Sequence, residues 1–255
     1  MFTYKLALAS ARNIIFSAAA LFAALSSAQA QTSDPLPFQP DLRFGNTVLT
    51  ENDLVTANAD GSYTLVGGQG GTTWQMDWDL TLKQDPFIVG TLTVTNLSAV
   101  ARDFNITLGL PITPAFSSSV YGGSLNATVT DLNGNLSASL STSATSASIY
   151  RGTIDGSPVL QLFAIGVSCS GSSAGCTASG SDQDGLPGPT LLGPAVNTSI
   201  GTLLSFNLSA GDRVVFNTNF TVMPVPLPAA LPLFVSGFVG LFGLRRRRRL
   251  LAQRD

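Results

Sequence analysis

Residues 74–83 read Trp-Gln-Met-Asp-Trp-Asp-Leu-Thr-Leu-Lys, with apolar and polar side chains in strict alternation. Trp74, Met76, Trp78, Leu80 and Leu82 share one parity. Gln75, Asp77, Asp79, Thr81 and Lys83 share the other. A strand sends successive side chains to opposite faces, so this stretch has one apolar face and one wet face. The pattern returns at Phe104, Ile106, Leu108 and Leu110, and at Leu136, Ala138 and Leu140. It returns again at Leu204, Phe206 and Leu208, and at Val214, Phe216, Phe220 and Val222. Helical spacing with caps is absent from residues 31–223. These residues predict an all-β domain, an antiparallel β-sandwich of two packed sheets with roughly nine to eleven strands. A closed barrel is the alternative.

Turn residues punctuate the strands. Asn133-Gly134 reads as a tight hairpin of type I′, because Asn-Gly tolerates positive φ. Asp60-Gly61, Asp155-Gly156 and Gly211-Asp212 mark further turns, and Gly67–Gly71 reads as a flexible loop or bulge. Between Ser168 and Ser199 the alternation breaks, which predicts a long loop, functional or disordered. That loop holds Cys169 and Cys176, the only two cysteines. In an exported chain they predict a local disulfide closing a small Gly/Ser loop.

Export is read from the first thirty residues. Lys5 and Arg12 precede an apolar run from Ile14 to Leu25, and Ala28-Gln29-Ala30 offers the small residues a signal peptidase accepts. Residues 1–30 are therefore expected to be a signal peptide cleaved between Ala30 and Gln31. Residues 31–223 then form the exported domain, and 224–255 a separate tail. The exported part carries fourteen Asp/Glu against five Lys/Arg, so its acidic surface argues against nucleic acid and anionic lipid as partners.

The tail runs without charge from Val225 to Leu244. As a helix, twenty residues reach roughly 30 Å, the thickness of a bilayer core. Arg245, Arg246, Arg247, Arg248 and Arg249 follow directly and are expected to stay cytoplasmic, leaving the domain outside. Pro224, Pro226, Pro228 and Pro232 sit at the outer end, where they hold an extended approach suited to a peptidase groove. A single-pass anchor without processing is the simpler alternative.

The three parts in this order resemble the PEP-CTERM sorting signal, in its VPLPA variant. The match is carried by Val225, Pro226, Leu227, Pro228 and Ala229, the apolar run to Leu244 and the arginine cluster, and it covers only this tail. Leu227 stands where the namesake motif has glutamate. The resemblance implies an exosortase that cuts near the motif, after export through the inner membrane of a Gram-negative bacterium. It implies delivery to the envelope surface or the extracellular matrix, with biofilm exopolysaccharide as a companion. Signal peptidase and exosortase are the partners expected during export, and the C-terminal helix makes the membrane contact.

Histidine is absent from the chain, which removes Ser-His and Cys-His catalysis and histidine-ligated metals. Lys83, the only lysine of residues 31–223, lies on the wet parity and reads as a surface residue. Asp77 and Asp79 share a face roughly 7 Å apart, near a glycosidase spacing, but on a solvated sheet neither carboxyl has the burial an acid catalyst needs. No catalytic residue and no firm cofactor is expected. The calcium candidates are Asp182 and Asp184 before Gly185, then Asp131, Asn133 and Asn135. Trp74 and Trp78 read as core, which leaves Tyr63, Tyr121 and Tyr150 for stacking on sugars. The expectation is a non-enzymatic structural or adhesive surface protein. A carbohydrate- or calcium-dependent binding module comes second, and a carboxylate-only hydrolase third.

Overall fold

A computed structural model describes residues 38–48, 54–171 and 175–225 of the chain. Among them there are sixteen strands and no helix, arranged as two eight-stranded antiparallel sheets. The first sheet runs β11 (Ser157–Leu162), β10 (Tyr150–Ile154), β15 (Ser199–Leu208), β7 (Arg102–Pro111), β1 (Asp41–Phe44) and β2 (Thr47–Val48). Beside β10, the end of β15 also pairs with β9 (Ser137–Thr142), which pairs with β12 (Val167–Ser170). The second sheet runs β13 (Thr177–Asp184), β8 (Ser119–Thr130), β16 (Arg213–Pro224), β6 (Phe87–Asn96), β5 (Trp74–Lys83), β4 (Tyr63–Gly70) and β3 (Leu54–Ala57). In this sheet β8 also pairs with β14 (Leu191–Gly193).

Alternation decides what lies between the sheets. Met76, Trp78, Leu80 and Leu82 are buried, as are Phe104, Ile106, Leu108 and Leu110. Leu204, Phe206, Leu208, Val214, Phe216, Phe220 and Val222 complete the same core cluster. Each large side chain withdrawn from water contributes about 1.5–3 kcal/mol, which is what holds the faces together. Rings cross the interface directly: Phe206 meets Phe216 edge-on at 4.9 Å, and Phe44 lies 4.5 Å from Trp74.

The strand total exceeds the nine to eleven expected, because the additional strands are short. β2 has two residues, β14 three, and β1, β3 and β12 four each, too few to show a period of two. The region from Ser168 to Ser199 is likewise not one long loop: β12, β13 and β14 occupy much of it. The glycine run also corrects expectation. Gly67, Gly68 and Gly70 lie within β4, paired with Trp78, Asp77 and Gln75, and a Cβ on Gly68 would stand 2.6 Å from Asp77 Oδ1. Glycine here makes room for a neighbouring carboxylate.

Asn133-Gly134 is no hairpin. It lies on the connection from β8 in the second sheet to β9 in the first, and Asn133 is not at positive φ. Leu136 takes the left-handed conformation instead, at φ 68°. Gly211-Asp212 likewise carries the chain from one sheet to the other, between β15 and β16. The type I′ hairpin is at Asp155-Gly156, between β10 and β11, where φ is 48° and 77°.

Asp155 does more than turn the chain. Its carboxylate accepts the N–H groups of Asn197, Thr198 and Ser199, together with the Thr198 hydroxyl. Desolvation pushes this carboxyl up, but the N–H groups of Ser199, Thr198 and Asn197 outweigh it and hold the group well below the usual range. A lowered pKa supplies stability above the ordinary value near ~4, which is lost as pH falls through the folded value. Asp155→Asn is expected to lower stability by about 1 kcal/mol at pH 7, and to converge with the wild type on acidification. Urea midpoints across that range test it, and a constant gap between the two curves would refute it.

The N-terminal residues 1–37 and the tail from 226 onward lie outside the described residues, and with them the signal peptide and the expected membrane helix. Among the described residues no helix is long and apolar enough to cross a membrane.

Candidate functional site: a polar basin on the second sheet

The outer parity of the second sheet carries hydroxyls and carboxamides. Register sets them in rows. Asn126 of β8 stands between Asn217 of β16 and Ser181 of β13, and Ser124 stands between Asn219 and Gln183. Neighbours across strands lie about 4.8 Å apart, and successive rows about 7 Å apart. Together with Leu125, Asp182 and Thr218, these six residues line an open basin of about 750 Å³.

The inner parity explains why the surface dips here. Facing the core under the basin, Gly123 and Ala127 on β8 and Gly180 on β13 are small, and Leu125 between the first two is the one large side chain of β8 there. A Cβ on Gly123 would lie 2.6 Å from Leu160, and one on Gly180 2.7 Å from Phe163. Opposite, in the first sheet, a Cβ on Gly152 would lie 2.5 Å from the Phe220 ring. Missing side chains let the sheets approach, and two tyrosines bond across the gap. Tyr150 donates its hydroxyl to Asn219 O at 3.2 Å, and Tyr121 donates to Val159 O at 2.8 Å.

Burial removes Tyr150 from any sugar-stacking role, and the bond to Val159 holds the hydroxyl of half-buried Tyr121. Tyr150 is fully buried and burial pushes its phenol far up. Burial, aided by the charge of Asp184, also pushes Tyr121 up. Tyr63 is half-buried, edge-on to Phe38 at 5.4 Å. Trp78 is buried in the core and Trp74 is half-buried against Phe44.

The other candidate residues are dispersed. Asp182 accepts the Phe163 N–H at 2.7 Å, and with Asp184 it lies within β13, not in a turn. Asp131 accepts the N–H groups of Gly134 and Leu136, both at 2.9 Å. Asn133 and Asn135 each accept an N–H two residues on. These oxygens organise the loop that crosses from sheet to sheet. No group of three or more metal-ligating side chains occurs among the described residues. Asp77 and Asp79 stand exposed on the outer face, where Gln75 donates to Asp77 at 3.0 Å. Lys83 faces Asp85 at 4.0 Å.

Cys169 and Cys176 are joined by a disulfide, with Cα atoms 5.9 Å apart. The bond does more than close a small loop. Cys169 belongs to β12 of the first sheet, and Cys176 leads directly into β13 of the second. It therefore ties the two sheets at their shared edge.

Val225 is the only residue of the expected sorting motif that lies within the described part. Its N–H bonds Ser118 O at 3.2 Å, just past the end of β16. Pro226, Leu227, Pro228, Ala229, Arg245–Arg249, Ala28, Ala30 and Gln31 lie outside it. No family model matches the chain, and no curated protein matches it.

The apolar side chains, from which the fold is legible, say nothing of the basin. Its polar signals lie on the wet parity, at Asn217, Asn219 and Asn126, and its small residue Gly123 lies on the core parity.

Proposed function

We propose that this chain is an exported bacterial surface or matrix protein, sorted by an exosortase, with a structural or adhesive role and no catalysis. The observation that carries the reading is where the described strands stop relative to the motif. The last described strand closes at Pro224, Val225 makes the final described backbone bond, and the VPLPA-like motif begins at that residue. A cut within the motif, after Val225, would leave every described strand of both sheets on one piece. A sorting signal that must be removed without unfolding its cargo requires that arrangement.

The exposed Asp77 and Asp79 carboxylates, and a Lys83 amine facing Asp85, support a non-enzymatic reading. A carbohydrate- or calcium-dependent binding module is the second reading, favoured by the basin. Mass spectrometry of the mature protein, from membrane and medium of the native host, tests the first. An N-terminus at Gln31 and a C-terminus near Pro228 are expected. An uncleaved leader, or a chain intact through Asp255 in every fraction, would overturn it.

A further inference from the structure

The geometry points to the β13–β8–β16 basin as a binding site for a neutral, hydroxyl-rich polysaccharide chain. This deepens the surface-protein reading and rests on it.

The first argument is hydrogen-bond bookkeeping. Elsewhere on the same strands the outer side chains satisfy one another: Thr128 bonds Ser179 at 2.8 Å, and Thr177 bonds Thr130 at 3.5 Å. In the basin that pairing stops. Among the described residues, the side chains of Ser124, Asn126, Ser181 and Gln183 have no protein partner. Asn217 accepts from the Thr91 hydroxyl and Asn219 from the Thr221 hydroxyl, which fixes both carboxamides through their oxygens and leaves their N–H donors turned to solvent. A carboxamide carries donors and an acceptor, as a pair of sugar hydroxyls does, so the two sets can bond in either sense. Two of the four carboxamides are already oriented, which lowers the ordering cost on binding.

Charge narrows the ligand further. Among the described residues, Asp182 is the one charged side chain lining the basin, and its carboxylate already holds the Phe163 N–H. No lysine or arginine is among those lining residues, so an anionic polymer would find repulsion and no cation. Aromatic rings are also absent from the described lining, so each sugar would be held weakly by hydrogen bonds alone. Useful affinity then requires many repeats along one chain, which favours a polymer over a single sugar. Pairing with a second copy is disfavoured, because β13, the edge strand among the described residues, ends in Asp182 and Asp184, charges that discourage strand addition.

The test uses the full chain in a polyoxyethylene detergent, passed over immobilised cellulose, amylose, dextran and a β-1,3-glucan, with alginate as the polyanion. Retention on at least one neutral polymer is expected, undiminished by about 1 M NaCl. The double variant Asn126→Ala/Gln183→Ala should weaken it about tenfold or more. Its urea midpoint should match the wild type, because both side chains point to solvent. The proposal is overturned by no retention on any neutral polymer, by retention only on alginate or only at low salt, or by equal retention of the variant. Self-association in place of glycan binding would also overturn it. The mature C-terminus is read separately, so a failure here leaves the sorting result standing, and the reverse holds too.

Discussion

Asn96→Ala is expected to cost about 3 kcal/mol or more, a large share of a typical domain's stability. Asn96 is fully buried at the end of β6, where the chain leaves the second sheet for the first. Its Nδ2 donates to the carbonyls of Val100, Leu208 and Ser209, at 2.9, 3.0 and 3.0 Å. Its Oδ1 accepts the Ser98 N–H and hydroxyl, at 3.0 and 2.7 Å. The Asn96 N–H donates to Asp212 O, and Asp212 itself accepts the Ser209 hydroxyl. One side chain therefore binds the β6–β7 crossover to the β15–β16 crossover. Alanine would leave the buried Leu208 carbonyl and the part-buried Ser209 carbonyl and Ser98 N–H without this partner, and each unmet buried group costs about 1–3 kcal/mol.

Asn96→Asp should be worse than alanine at neutral pH. It sets a carboxylate oxygen against three carbonyls, beside Asp212. Desolvation already pushes that neighbour's carboxyl up; Ser209 and Leu132 oppose the shift, and the charge of Asp131 adds to it. A raised carboxyl supplies stability below its ordinary pKa and loses it as pH rises through the folded value. The carboxyl introduced by Asn96→Asp should follow the same sign, so that this variant regains stability on acidification. Urea unfolding at pH 7 and pH 4 reads both variants. Unfolding free energies within about 0.5 kcal/mol of the wild type would remove Asn96 from this role.

The same polar hub marks the limit of what the sequence disclosed. Alternation in β5, β7, β15 and β16 named the buried faces residue by residue, because a period of two is a local property of one strand. Which strands share a sheet is not local. Asn133-Gly134 and Gly211-Asp212 carry turn chemistry, yet both serve sheet-to-sheet crossovers, and the choice is made by distant partners. Asp131 holds Gly134 and Leu136, and Asn133 donates to Ala210 O. No window of sequence contains that information.

The basin illustrates the same limit from the functional side. Ser124, Asn126, Ser181, Gln183, Asn217 and Asn219 come from three stretches of chain that meet only through register. Each alone is an ordinary wet-face residue. The disulfide is similar: the spacing of Cys169 and Cys176 suggested a loop, while topology makes the bond a seam between sheets.

Close approach of the sheets should be the least forgiving feature of the fold. Gly152 faces the ring of Phe220, and a Cβ placed there would lie 2.5, 2.8 and 2.9 Å from three ring carbons. Phe220 is fully buried and cannot swing out to solvent. Gly152→Val should therefore cost about 3 kcal/mol or more, or leave the protein insoluble, since cores resist added volume. Gly152→Ala is the informative variant, expected to lose about 1–3 kcal/mol. Shrinking the ring should relieve it. Phe220→Leu alone leaves a cavity and destabilises, but in the Gly152→Ala background the new methyl occupies part of that space. The double variant should be more stable than the two single losses predict, by about 1 kcal/mol or more. Simple additivity in urea unfolding would mean that the sheets do not meet at these two residues. The glycines beneath the basin would then lose their explanation as the cause of its depth.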